Sequence, residues 1–173
     1  SLVFQGTGIS FGLGQSVTAP LTFDRRKAAE GGMIFAAARL EPGDFKAAAA
    51  SAGLLLTSGS PLGASAAAAR ARHIPAVVIG RARWQDGPSL DIEQAVFGKM
   101  IREGDVAYQL IEKTRWVNLR EGQVATLDGA RGTLSLYAPS QEAAILAVSE
   151  ALRAYDGLKD AQVLLHWFEA ERG

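Results

Sequence analysis

Cysteine is absent from the 173 residues, which excludes disulfides and thiolate metal sites and points to a cytoplasmic setting. Net charge is absent too: 18 acidic residues offset 18 basic ones, leaving no electrostatic footprint for nucleic acid. The short basic run Arg25-Arg26-Lys27 reads as a solvated face rather than a polyanion site. No apolar run approaches the ~20 residues of a membrane-spanning helix, and no signal peptide is visible. Histidine is scarce, with His73 and His166 the only two, and neither lies in H-E-x-x-H or a cluster with ligand spacing. No metal and no cofactor is therefore expected. What is present suits one domain with an appended helix, since 48% apolar content at this length can bury a real core. Ser1 stands where a complete chain has methionine, so processing or a longer parent is expected.

The chain is organised around residues 53–80, GLLLTSGSPLGASAAAARARHIPAVVIG. Leu54-Leu55-Leu56 is a short apolar run ending in turn residues, the mark of a strand covered on both faces. Ser60 suits an N-cap and Pro61 the first helical position, and the alanine-rich stretch to Arg72 has high helix propensity. The helix must stop before Pro75, and Ala76-Val77-Val78-Ile79 follows as a second buried strand. Small residues at such a helix start can hold an anion through backbone amides. Gly59, Ser60, Gly63 and Ser65 are the candidates, with Arg70 or Arg72 as the cation; both arginines equally suit a solvent-facing side of the helix.

This stretch resembles the phosphohistidine swivelling domain of the phosphoenolpyruvate-utilising enzymes, the family of pyruvate phosphate dikinase, phosphoenolpyruvate synthase and the first enzyme of the sugar phosphotransferase system. That signature runs roughly G-G-x-T-S-H-A-A-I-x-A-R-x-x-G-I-P-A-V-V-G. Ile74-Pro75-Ala76-Val77-Val78, Ala69-Arg70 and Gly59 match it, whereas the phosphorylated histidine falls on Ala64, its preceding serine on Gly63 and the second glycine on Ser60. The resemblance implies a domain that shuttles a phosphoryl group on histidine, and here the carrier residue is missing. Alanine has no nucleophilic nitrogen, while a neutral imidazole does. His73 lies nine positions beyond Ala64, which on a helix is about 13 Å away and roughly half a turn out of phase. It takes the place of the family's loop glycine before Ile-Pro.

Other segments carry weaker likenesses. Ser10 and Gly12 agree with the family's opening G-x-x-x-S-P-G-x-x-x-G, with Phe11 in place of proline and Ser16 in place of the last glycine. A dinucleotide loop fails there, because G-x-G-x-x-G would need glycine at Phe11. A strand is expected over 17–23 and another over 33–38, and Leu40-Glu41-Pro42-Gly43-Asp44 looks like the family's L-T-P-x-D turn. Asp44 is expected as the N-cap of a helix over 45–52 rather than as a catalytic acid. Gly59-Ser60-Pro61-Leu62-Gly63 is off by one from the G-x-S-x-G of serine hydrolases. Residues 119–134 match the family's L-x-D-G-x-x-V-x-V-D-G-x-x-G-x-V segment and predict a hairpin through Asp128-Gly129.

Between the matching parts lies an insertion, about 82–118. Ile92, Ala95, Val96 and Met100, then Val106, Ala107, Leu110 and Ile111, recur at helical spacing, with Gly104 as a break, so a helical insertion is expected. Its Trp84, Phe97, Tyr108 and Trp116 suit either the core of that flap or a partner surface. Pro139-Ser140 opens a helix carrying Ile145, Val148 and Leu152 on one face; Gly157 interrupts it, and Leu158, Ala161, Leu165 and Phe168 continue.

The expectation is thus an α/β chain: a three-layer β/β/α swivelling domain over 1–140 with the insertion, then C-terminal helices over 141–173. As function, a non-catalytic structural or regulatory module of a larger phosphotransferase-like protein is expected. Its partners would be neighbouring domains or another copy of the chain. Two alternatives stand beside it: an anion or small-metabolite binder at residues 59–65, with a phosphate-bearing ligand, and a phosphoryl-transfer domain still active through some other residue. Neither nucleic acid nor membrane is among the expected partners.

Overall fold

The computed structural model describes residues 2–9, 15–60 and 62–172, with side chains described as far as Tyr155. Expectations resting on Ser10, Phe11, Gly12, Pro61, His166 and the side chains of Leu158, Ala161, Leu165 and Phe168 lie outside the described residues. Residues 1–136 form one compact unit and residues 137–173 a second.

The first unit opens with two short strands, β1 (Leu2–Gln5) and β2 (Thr7–Gly8), and a longer one, β3 (Ser16–Thr22). Helix α1 (Arg25–Glu30), capped by the Asp24 carboxylate on the Arg26 N–H, leads to β4 (Ile34–Ala37). A 3-10 turn (Pro42–Asp44) and α2 (Phe45–Ala50) lead to β5 (Gly53–Leu56); α3 (Ala64–Ala71) then leads to β6 (Ala76–Val78). Next come β7 (Ala82–Gln85), β8 (Ser89–Glu103) and β9 (Val106–Leu119), followed by β10 (Val124–Asp128) and β11 (Thr133–Leu136). The main sheet runs β1-β11-β10-β3-β4-β5-β6-β2, with β3 to β6 parallel and the remaining pairs antiparallel.

Strand periodicity sorts the core into two clusters, because successive side chains on a strand face opposite ways. Phe35, Leu54, Leu56, Ala76 and Val78 pack with Ala28 of α1, Ala47 and Ala48 of α2, and Ala66 and Ala69 of α3. Ile34, Ala36, Leu55 and Val77 face the other way and pack with Leu90, Ile92 and Leu119 at the base of the β7–β9 sheet. The alanines explain how short helices lie so close to the sheet: their faces carry little bulk, so the apolar payload comes from the strands. Leu54, Leu55 and Leu56 are all almost fully buried, and burial of each contributes roughly 1.5–3 kcal/mol.

The insertion is not helical. It is a three-stranded antiparallel sheet ordered β7-β8-β9, whose two long strands continue as a ribbon. Fifteen residues in β8 reach about 50 Å at strand rise. Gly104 adopts φ +61° in the two-residue turn between Glu103 and Val106, and Gly87 adopts φ +79° between β7 and β8. Those left-handed turns fix hairpins where spacing alone suggested helices. The ribbon's base is pinned by Asp91, 6% exposed, which accepts hydrogen bonds from Arg83 Nε (3.1 Å), Asn118 Nδ2 (2.8 Å) and Gln85 Nε2. Arg83 also stacks over the Trp116 ring at 4.2 Å. Farther out, Phe97, Met100, Val106, Leu110 and Ile111 are exposed, so they are not a core.

The second unit is one helix, α4 (Pro139–Arg172), uninterrupted at Gly157. A single interior glycine costs only about 1 kcal/mol, which a helix of 34 residues absorbs. Val148, Leu152 and Tyr155 are exposed on it. Among the described residues no helix is long and apolar enough to cross a membrane.

Candidate functional site

The turn between β5 and α3 is built from backbone outward. Thr57 N–H donates to the carbonyls of Ala37 and Ala38 (both 3.2 Å), and Ser58 gives both its N–H (2.9 Å) and its hydroxyl (3.0 Å) to Ala38 O. These bonds tie the end of β5 to the end of β4. Gly59 then turns at φ +107°, a conformation that a side chain would strain. Ser60 does not cap the helix: its Oγ accepts from Leu62 N–H (3.1 Å) and its carbonyl from Gly63 N–H (2.9 Å), closing a separate turn. Gly63 is the N-cap, and no side chain caps α3. The helix therefore starts at Ala64, later than the Ser60-Pro61 pattern predicts.

Ala64 is exposed at the first position of α3. Ser65 is committed elsewhere, its Oγ accepting from Leu40 N–H at 3.2 Å and so tying the β4–α2 connection to α3. Arg70 sits in the last turn of α3, about 9 Å along the axis from Ala64. The structure thus brings Gly59, Ser60, Gly63 and Ala64 together in one turn, with Ser65 beside them and Arg70 at the other end.

His73 lies past the C-terminus of α3 at φ +55°, the one described non-glycine residue with positive φ. His73 N–H donates to Arg70 O (3.1 Å) and Ile74 N–H to Ala69 O (3.0 Å). That is the left-handed Schellman ending of a helix, where glycine is the usual occupant. The imidazole is at the wrong end of the helix to stand in for a carrier at Ala64.

Asp44 occupies the N-cap position of α2 but makes no side-chain cap, a departure from the expectation. Its Oδ2 accepts from Glu41 N–H (2.9 Å) and its Oδ1 lies 3.6 Å from Arg25 Nε. The Arg25 guanidinium passes so close over Gly43 that a Cβ there would collide with its Nη1. Helix α2 ends at Ala50, short of the expected 45–52.

Sequence reasoning missed a cleft in this unit. It measures about 780 Å³ and opens at the carboxyl ends of β3, β4 and β5, where open parallel sheets place ligands. Phe23 and Asp24 enter from the end of β3, Ala38 and Arg39 from the end of β4, Ser58 from the end of β5 and Trp84 from β7. Trp84 Nε1 donates to Thr57 Oγ1 at 2.8 Å, and its ring meets Phe23 edge-on, centroids 5.8 Å apart. The Glu41 carboxylate accepts from Arg39 Nε at 2.7 Å, which raises the Arg39 pKa further above its ordinary value. No sequence signal marks this place, because separate segments supply its walls. Among the described residues no group of histidines and carboxylates has metal-holding geometry.

A family model described as PEP-utilising enzyme, mobile domain, matches residues 29–132, more than half of the chain and the whole of the β5–α3 turn. No curated protein matches the chain.

Proposed function

The chain belongs to the family of the PEP-utilising enzyme mobile domain, and from that premise we propose that it is a domain of a larger phosphotransferase-like protein that does not itself carry phosphate. One observation carries the reading: the first residue of α3, the position to which the sequence resemblance assigns the family's phosphohistidine, is an exposed alanine. An exposed helix start is where a carrier must stand to meet its donor and acceptor, and here it ends in a methyl group. His73 lies past the far end of the same helix. The sheet with helices on one side and the base of β7–β9 on the other supports reading the first unit as the three-layer swivelling stack. In this reading the domain works by holding neighbours, cytoplasmic partners that meet the ribbon and α4. The exposed Phe97, Met100, Leu110 and Ile111 favour the ribbon for that role.

The uncapped amides of α3 favour a second reading, in which residues 59–65 bind an anion without transferring it. Labelled phosphoenolpyruvate or nucleotide distinguishes these from an active transferase. Acid-labile label on the protein refutes the non-carrier reading, and none is expected. Thermal shifts with inorganic phosphate test the anion reading, which predicts a rise in Tm; no rise refutes it.

A further inference from the structure

The cleft beside Trp84 is separate from the β5–α3 turn and, among the described residues, shares only the Ser58 wall with it. Its 780 Å³ lies within the ~300–1,000 Å³ range of small-molecule sites. One wall is flat, apolar and fixed: Trp84 cannot rotate without losing its 2.8 Å bond to Thr57, and Phe23 braces it edge-on. The charges on the lining sort themselves. Arg25 faces Asp44 at 3.6 Å and Arg39 holds Glu41 at 2.7 Å, so both pairs are matched. Among the described residues the Arg26 guanidinium has no carboxylate partner, and Asp24 is occupied in capping α1, its Oδ1 accepting from Arg26 N–H at 2.8 Å. Three arginines against three carboxylates leave the lining neutral, which disfavours polyanions. One arginine on the same lining as a flat wall matches one small anion attached to a ring.

We propose that this cleft binds a flat-ringed monocarboxylate, its ring against Trp84 and Phe23 and its carboxylate on the Arg26 guanidinium. Arginine suits the task because its planar fork takes a carboxylate in two parallel hydrogen bonds. The site goes beyond the non-carrier reading and does not depend on it, since no residue of the 59–65 turn takes part.

Benzoate is the probe, titrated into the whole isotopically labelled chain and followed by nuclear magnetic resonance. The Trp84 indole N–H, identified by its loss in Trp84→Phe, and the Ser58 amide are expected to shift together. Arg26→Ala is expected to weaken benzoate about tenfold or more, and Arg26→Lys to recover part of that loss. Arg26 is exposed, so its substitution leaves the fold intact. Acetate and benzyl alcohol, each carrying half of the recognition, are expected to bind more weakly than benzoate. The proposal is overturned if benzoate moves neither signal, if Arg26→Ala binds it unchanged, or if benzyl alcohol or pyrophosphate binds as well.

Discussion

Trp84 and Thr57 are joined by a 2.8 Å hydrogen bond from the indole Nε1 to the threonine Oγ1, and this bond connects the base of the ribbon to the residue that follows β5. Whatever pulls on the ribbon therefore acts on the start of the turn that leads to Ala64. Trp84→Phe and Thr57→Val should each cost about 1 kcal/mol, the net worth of one hydrogen bond, with Trp84→Phe slightly higher for lost packing. In a double-mutant cycle by urea unfolding, the double variant should cost less than the sum of the two single ones. Full additivity would mean that the bond does not form in solution.

His73 holds a backbone conformation that glycine adopts freely. His73→Gly should stabilise the chain by about 1 kcal/mol, seen as a higher urea midpoint at unchanged slope. His73→Ala should change little, because alanine meets the same left-handed penalty. A destabilised glycine variant would show that the imidazole contributes contacts that outweigh the strain.

Asp91 gives the molecule an acid-sensitive joint. Its carboxyl is held below the usual carboxylate range, chiefly by the hydrogen bond from Asn118, then by those from Arg83 and Gln85, against the opposing effect of burial. A carboxylate with a depressed folded-state pKa adds stability that is present above the unfolded value of about 3.9 and is lost as pH falls through the lower, folded one. The urea midpoint should therefore fall below about pH 4, and Asp91→Asn should flatten that part of the slope. Equal acid slopes in the two proteins would remove Asp91 from the account.

Leu55 faces the base of the β7–β9 sheet while its neighbours Leu54 and Leu56 face the helices. Leu55→Ala should destabilise by about 2–5 kcal/mol in urea unfolding. The loss should extend to amide exchange at the ribbon base, around Leu90 and Ile92. Leu54→Ala should cost about as much while exposing α3 instead. Indistinguishable exchange patterns would contradict this division of the core.

The central strands were readable because β4, β5 and β6 are short apolar runs closed by turn residues, a pattern few other structures fit. The ribbon was not, because Ile92, Ala95, Val96 and Met100 satisfy helical spacing by coincidence. The informative residues were Asp86-Gly87 and Gly104-Asp105, turn pairs that demand hairpins. The start of α3 misled in another way: Ser60-Pro61 has the chemistry of a cap, yet Ser60 closes its own turn and Gly63 takes the cap. Local chemistry cannot choose between two such turns when tertiary bonds, here Ser58 to Ala38 and Leu40 to Ser65, fix where the helix docks. The Trp84 cleft had no sequence signature because its walls meet only after folding. The alanine at the first turn of α3 was visible throughout, since it rests on residue identity and a single helix boundary.

The decisive measurement is the intact mass of the whole protein at neutral pH after exposure to phosphoenolpyruvate, magnesium and nucleotide. With a methyl group at position 64, the mass should stay that of the unmodified chain. A gain of one phosphoryl group, lost again in acid and carried on any residue, would contradict the account.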